Sequence, residues 1–227
     1  GKGYTLSPGL YSDEQQLLWR AVTDAVHEKD GRIVAQIMHC GRVGHPDNKA
    51  PGSDLIGPSA IPCQTEIYTP KGMQPMPTPR AIEGAEIPGL IREYCETAER
   101  AIAAGFDGIE LHCTSGYLPA QFLSTGSNQR SDNYGGSLDN RLRFVLELTQ
   151  ALCDTVGAGR VGLRVCPGNP FNDLQDEDPS ETFSALFRAL SPMGLAYLHV
   201  IRMASTGIDN IALAQQHFKG ALIVNDS

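Results

Sequence analysis

The sequence contains no apolar run approaching the ~20 residues that a membrane-crossing helix needs, and no basic-then-apolar leader opens it. The chain therefore reads as soluble, with no membrane partner. It is poor in basic residues, with 18 Lys and Arg against 26 Asp and Glu and a net charge of -8. Those basic residues are scattered, which argues against a nucleic-acid partner and favours a small molecule. No C-x-x-C pair occurs, and the six cysteines (Cys40, Cys63, Cys95, Cys113, Cys153 and Cys166) fall at wide, irregular intervals. That spacing fits neither a disulfide framework nor a zinc site and suits a reducing cytoplasm. No glycine-rich dinucleotide fingerprint and no P-loop follows any strand-like segment.

What is present is enough for one globular domain, with 227 residues of which 41% are hydrophobic. Ser12-Asp-Glu-Gln15 opens like a capped helix that runs to about Lys29 before Asp30-Gly31 breaks it. Short apolar runs at 32–38, 107–112, 161–165, 196–201 and 221–224 have the character of strands buried on both faces. Helical stretches near 87–104, 136–157, 180–190 and 208–217 separate them. This alternation predicts parallel strands joined by right-handed crossovers. Polar residues at or near the C-terminal ends of four strands (His39, His112, Arg164 and Arg202) favour a β/α barrel over an open doubly wound sheet. Only five strands are counted where a closed barrel has eight, so the expectation is an incomplete (β/α)8 TIM barrel, truncated at both ends.

The stretch from 41 to 88 is too long for an ordinary strand-to-helix loop and carries Pro62, Pro70, Pro75, Pro77 and Pro79. Thr65-Glu-Ile-Tyr-Thr69 has strand propensity, so the segment is expected to form a capping β-hairpin inserted into a single domain of residues 1–227.

The block that starts at His112-Cys-Thr-Ser-Gly-Tyr117 and runs through Asn128-Gln-Arg-Ser-Asp-Asn-Tyr-Gly-Gly-Ser-Leu-Asp-Asn-Arg-Leu-Arg-Phe144 closely resembles the signature of the Old Yellow Enzyme family. Gln36-Ile-Met-His-Cys-Gly-Arg-Val-Gly-His-Pro46, Gly57-Pro-Ser-Ala-Ile61 and Val161-Gly-Leu-Arg-Val-Cys-Pro-Gly-Asn-Pro-Phe-Asn-Asp173 resemble the same family in the same order. The resemblance implies a barrel holding FMN, with this chain supplying about strands three to seven. It also implies an NAD(P)H:flavin oxidoreductase, or ene-reductase, that passes hydride through FMN to an activated C=C bond of an enone, nitroalkene or similar electrophile. By the same resemblance Gln36 and Arg164 bind the flavin, His112 hydrogen-bonds the substrate oxygen, and Tyr117 gives a proton to the α-carbon. A cation at Arg164 suits the anionic reduced flavin. An oriented donor at His112 and a phenol five residues on suit charge that builds on oxygen and is then quenched.

The chain departs from the family at Ser115, where His or Asn is usual, so one of the two substrate-anchoring donors is replaced by a shorter hydroxyl. Losing such a donor costs ~2.7–4 kcal/mol of transition-state stabilisation in other enzymes. Thr114 or a water is the expected substitute. The segment after Asn128 reads as structural, with Gly135-Gly136 turning into an N-cap at Ser137. His39 and Arg42 are left out of the catalytic set, no metal is expected, and an oligomer is left open. Two other readings remain at this point: a non-catalytic truncated fragment of such a barrel, and a flavin-free barrel enzyme. A Schiff-base aldolase would want a lysine at a strand end, where none stands. A metal enzyme would want carboxylate partners for His39, His112 and His199, which the sequence does not display.

Overall fold

The computed structural model describes residues 2–227. Helix α1 (Asp13–His27) is capped by Ser12, whose hydroxyl accepts from the Gln15 amide. It leads into β1 (Val34–Ile37). The inserted segment then forms an antiparallel hairpin of β2 (Glu66–Thr69) and β3 (Gly72–Pro75). After it come α2 (Ile87–Ala103), β4 (Gly108–His112), the short α3 (Leu118–Leu123) and α4 (Leu138–Val156). The chain continues through β5 (Val161–Val165), α5 (Pro179–Leu190), β6 (Tyr197–Arg202), α6 (Asn210–His217) and β7 (Leu222–Asp226).

The main sheet has the order β1-β4-β5-β6-β7 with every neighbour parallel. Strands therefore follow one another around the sheet in sequence order, with no point where the order reverses. That separates a barrel wall from a doubly wound sheet, whose order switches direction at its ligand site. The alternation in each strand gives the wall two different faces. Ala35 and Ile37, Ile109 and Leu111, Leu163 and Val165, and Leu198 and Val200 point outward and pack under the helices in one continuous apolar core. Phe122 of α3 stacks on Phe144 of α4 with ring centroids 4.1 Å apart, and both are fully buried in that core. The opposite, concave face carries Gln36, Glu110, His112, Arg164, Tyr197 and His199 in two register layers.

Five strands make an open arc, so β1 and β7 each pair on one side only and Val34, Ile223 and Val224 remain exposed. All six cysteines are free thiols. Among the described residues no helix is long and apolar enough to cross a membrane. Helix α3, Leu118-Pro-Ala-Gln-Phe-Leu123, was not among the expected helices; its Pro119 occupies the first turn, where the missing N–H costs nothing.

Candidate active site

At the C-terminal end of β4 the chain makes a tight turn whose backbone requires two successive left-handed residues, Ser115 at φ +56° and Gly116 at φ +79°. Glycine takes that region freely, and Asn takes it more readily than Ser does. The turn is held from outside by Asn172, whose side-chain amide donates to the Ser115 carbonyl at 2.7 Å. Its effect is to place Tyr117 at the N-cap of α3 and fold its ring back over His112, with centroids 5.0 Å apart.

His112 is 7% exposed, and its Nδ1 is buried with no hydrogen-bond partner among the described residues. Burial, reinforced by the Arg164 charge, pulls its pKa down to about 4, so the ring is neutral at physiological pH. Tyr117 is pushed well above the ordinary phenol range by burial and by its hydrogen bond with Tyr4, and so holds its proton. Its hydroxyl donates to the Tyr4 hydroxyl at 3.1 Å, and the two rings meet edge to face at 6.3 Å. Beneath Tyr117 the hairpin packs Ile67 and Met76 together with Cys40, Val43 and Cys63 in a second, smaller apolar cluster.

Gln36 stands on β1, exposed toward the concave side. Arg164 stands on β5, beside His112 in the strand register. Arg164 donates from Nη2 to Asn225 Oδ1 at 3.2 Å, and its Nε is buried without a partner. No carboxylate lies within ion-pair distance of it among the described residues. A groove of about 740 Å³ runs along the free edge of β1, lined by Gly9, Tyr11, Gln36, Met38, His39 and Tyr94. It takes in Gln36 but neither His112, Tyr117 nor Arg164, so the polar groups gather on the open concave face rather than in this groove.

Ser115 is half-buried and sits between His112 and Tyr117 in the turn. Next to it Thr114 is 2% exposed, and its hydroxyl accepts from Asn169 Nδ2 at 3.2 Å. His39 and Arg42 hydrogen-bond to backbone groups. His39 Nδ1 accepts from the Gly41 amide, and Arg42, 1% exposed, donates to the carbonyls of Ile61, Pro62 and Asp173 that tie the insertion down.

The expectation that His199 lacks a carboxylate partner is wrong. Its Nδ1 lies 2.9 Å from Glu110 Oε2, although the two residues stand on β6 and β4 with β5 between them. The intervening position on β5 is Gly162, where a Cβ would be driven into the ring of Tyr197. With no side chain there, the Tyr197 ring lies over β5 on the same level as Glu110. Glu110, Tyr197, His199, Asn225 and Tyr4 were all missed by sequence reasoning. The signal for the strand residues was their parity: Glu110, Tyr197 and His199 share a face with Gln36, His112 and Arg164. Among the described residues no group of three His, Cys, Asp or Glu is arranged to hold a metal.

A parallel β/α barrel wall that carries Gln36, His112 and Arg164 on its concave face, with Tyr117 folded over His112, defines the class: a β/α-barrel protein with a polar concave face. The chain belongs to the NADH:flavin oxidoreductase / NADH oxidase family, whose model matches residues 1–225. Among curated relatives it is 40% identical, over an alignment of 238 positions, to a probable flavin mononucleotide-dependent alkene reductase of Leishmania infantum, which covers all of this chain and 65% of the relative. It is 41% identical over 210 positions to 12-oxophytodienoate reductase 7 of Oryza sativa subsp. japonica, covering 88% of this chain and 53% of that one. Among solved structures, a mutant morphinone reductase in complex with tetrahydroNAD superposes with a TM-score of 0.93 at 39% identity, covering 99% of this chain and 64% of the other. The old yellow enzyme from Trypanosoma cruzi gives 0.92 at 34% identity, covering 96% and 64%. The chain thus spans between about half and two thirds of the length of these relatives.

Proposed function

We propose that the protein to which this chain belongs is an FMN-dependent ene-reductase, and that the concave face described above is its flavin and substrate platform. The observation that carries the reading is the pair of buried polar atoms left unpaired there, His112 Nδ1 and Arg164 Nε, on a face that also exposes Gln36. Five other buried polar atoms without partners are scattered through the described residues, but these two stand on adjacent strands in register, where a ligand on the concave face would complete their hydrogen bonding. The donor set fits FMN. Arg164 supplies a fixed cation for the electron-rich edge of the isoalloxazine, and Gln36 a side-chain amide for its pyrimidine edge. Bound FMN, reduced by NAD(P)H, would supply a hydride to the β-carbon of an activated alkene.

The chain's own residues account for the rest of the chemistry. Neutral His112 keeps a ring N–H to donate to the carbonyl or nitro oxygen of a small electrophile, where negative charge grows as the double bond is reduced. The Ser115 hydroxyl is a shorter second donor in place of the family's His or Asn. Tyr117, held protonated by burial, releases the phenolic proton from its hydroxyl to the α-carbon. The hairpin beneath Tyr117 fixes the ring, and residues 41–88 act as a lid on a single unit of residues 1–227. The free thiols support a reducing compartment such as the cytoplasm.

Tyr117→Phe tests the assignment. Flavin reduction by NAD(P)H is expected to proceed at nearly the wild-type rate, while reoxidation by an enone slows by ~10²–10⁴-fold, the usual worth of a positioned general acid. Equal loss in both half-reactions would remove Tyr117 from the proton-donor role.

A further inference from the structure

Glu110 lies two residues before His112 on β4 and is 7% exposed. Both of its oxygens are engaged. Oε1 accepts from Gln36 Nε2 at 2.7 Å, Oε2 faces His199 Nδ1 at 2.9 Å, and the Tyr197 hydroxyl reaches the same carboxylate across Gly162. The chain of contacts continues from His199 Nε2 to Asn225 Oδ1 at 2.9 Å and from there to Arg164, so one polar network crosses all five strands. Burial works to raise the pKa of Glu110, but hydrogen bonds from Gln36 and His199 outweigh it and hold the group below the ordinary carboxylate range.

An ionised carboxylate can only accept hydrogen bonds. The two ends of a glutamine amide are hard to tell apart by shape, but opposite a carboxylate the choice is settled by chemistry: the NH2 end must face Glu110. Gln36 makes no other side-chain hydrogen bond among the described residues, so its carbonyl Oε1 is the end left free for a ligand. Gln36 is exposed, and among the described residues Glu110 alone holds its amide in one sense.

We propose that Glu110 is a positioning residue that fixes the hydrogen-bonding polarity of Gln36, turning its carbonyl toward the ligand so that the site selects a ring edge presenting an N–H donor, as the N3–H of a flavin does. The inference rests on the flavin reading above and adds to it the residue that decides which way the reading amide points. Replacing Glu110 by Gln removes the compulsion. A neutral amide can meet Gln36 with either end, and Gln36 can then turn its NH2 outward against N3–H.

The test is titration of the full-length protein that contains this chain, and of its Glu110→Gln, Glu110→Asp and Gln36→Ala variants, with FMN carrying the heavy nitrogen isotope at N3. The N3–H resonance and the Kd from flavin fluorescence are read together, and circular dichroism checks the fold. Wild type is expected to show a downfield, exchange-protected N3–H. Glu110→Gln should return it toward the position in free FMN and weaken binding about tenfold, the worth of roughly one hydrogen bond. Glu110→Asp keeps the charge beside His199 but shortens the reach to Gln36, and it carries the test should the amide variant not fold; the same upfield return is expected. Gln36→Ala should abolish the downfield shift. Wild type that binds FMN while the Glu110 variants keep its N3–H resonance would overturn the positioning role alone. Wild type that binds no FMN would overturn the flavin reading and this inference with it.

Discussion

The two faces of the five-stranded sheet are built from alternating residues of the same strands, and they follow different rules. On the convex face Ile109, Leu111, Leu163, Val165, Leu198 and Val200 are closed off beneath helices, each with little or no exposure. On the concave face Glu110, Arg164, Tyr197, His199 and Asn225 are linked by hydrogen bonds, yet His112 Nδ1 and Arg164 Nε remain without partners. The convex face is closed by apolar packing beneath the helices, whereas the concave face gathers linked polar side chains and leaves two buried atoms on adjacent strands unpaired, where a ligand would complete the hydrogen bonding.

The largest effect should therefore come from the convex side. Phe144→Ala removes a fully buried ring stacked on Phe122 and is expected to cost ~3–5 kcal/mol in denaturant unfolding, without bearing on ligand affinity beyond the loss of folded protein. On the concave side the next effect is in binding rather than folding. Arg164→Ala should weaken FMN binding roughly ten- to hundredfold, the range for a charge-assisted hydrogen bond, and leave the melting temperature nearly unchanged. Comparable losses of stability in both variants would erase the distinction between the faces.

His112 gives the concave face a pH signature. The unfolded chain takes up a proton on this histidine near its ordinary 6.5, whereas the folded ring resists until about 4. Its contribution to stability is complete above about 6.5 and is lost as the pH falls through about 4, a change of up to ~3 kcal/mol. His112→Gln should flatten that stretch of the stability–pH curve, and an unaltered curve would contradict the buried neutral ring. Gly162→Ala should cost ~1–3 kcal/mol through the clash with Tyr197 and loosen its contact with Glu110. The smallest effect is expected for Tyr4→Phe, which deprives Tyr117 of its hydroxyl partner at ~1 kcal/mol, measured by thermal unfolding.

The strand-and-helix alternation was legible because each element announces itself locally, by a cap such as Ser12 or a short apolar run such as Val161–Val165. The hairpin was legible in Thr65–Thr69 for the same reason. Gln36, His112, Arg164 and Tyr117 were singled out by the family resemblance of their motifs rather than by spacing. The network around them was not legible, because its contacts skip a strand: Glu110 on β4 meets His199 on β6, and the Tyr197 ring lies over Gly162, whose missing side chain sends no signal of what passes over it. Tyr4 was hidden for a different reason, since it reaches Tyr117 across 113 residues from a segment with no regular structure.

Whether the concave face of this chain is built for a flavin is decided by equilibrium titration with FMN, read by visible absorption and by co-elution on gel filtration. A shifted flavin band that travels with the protein and is lost in Arg164→Ala combined with Gln36→Ala is expected. A folded chain that leaves the FMN spectrum unchanged and elutes without it would contradict the flavin reading.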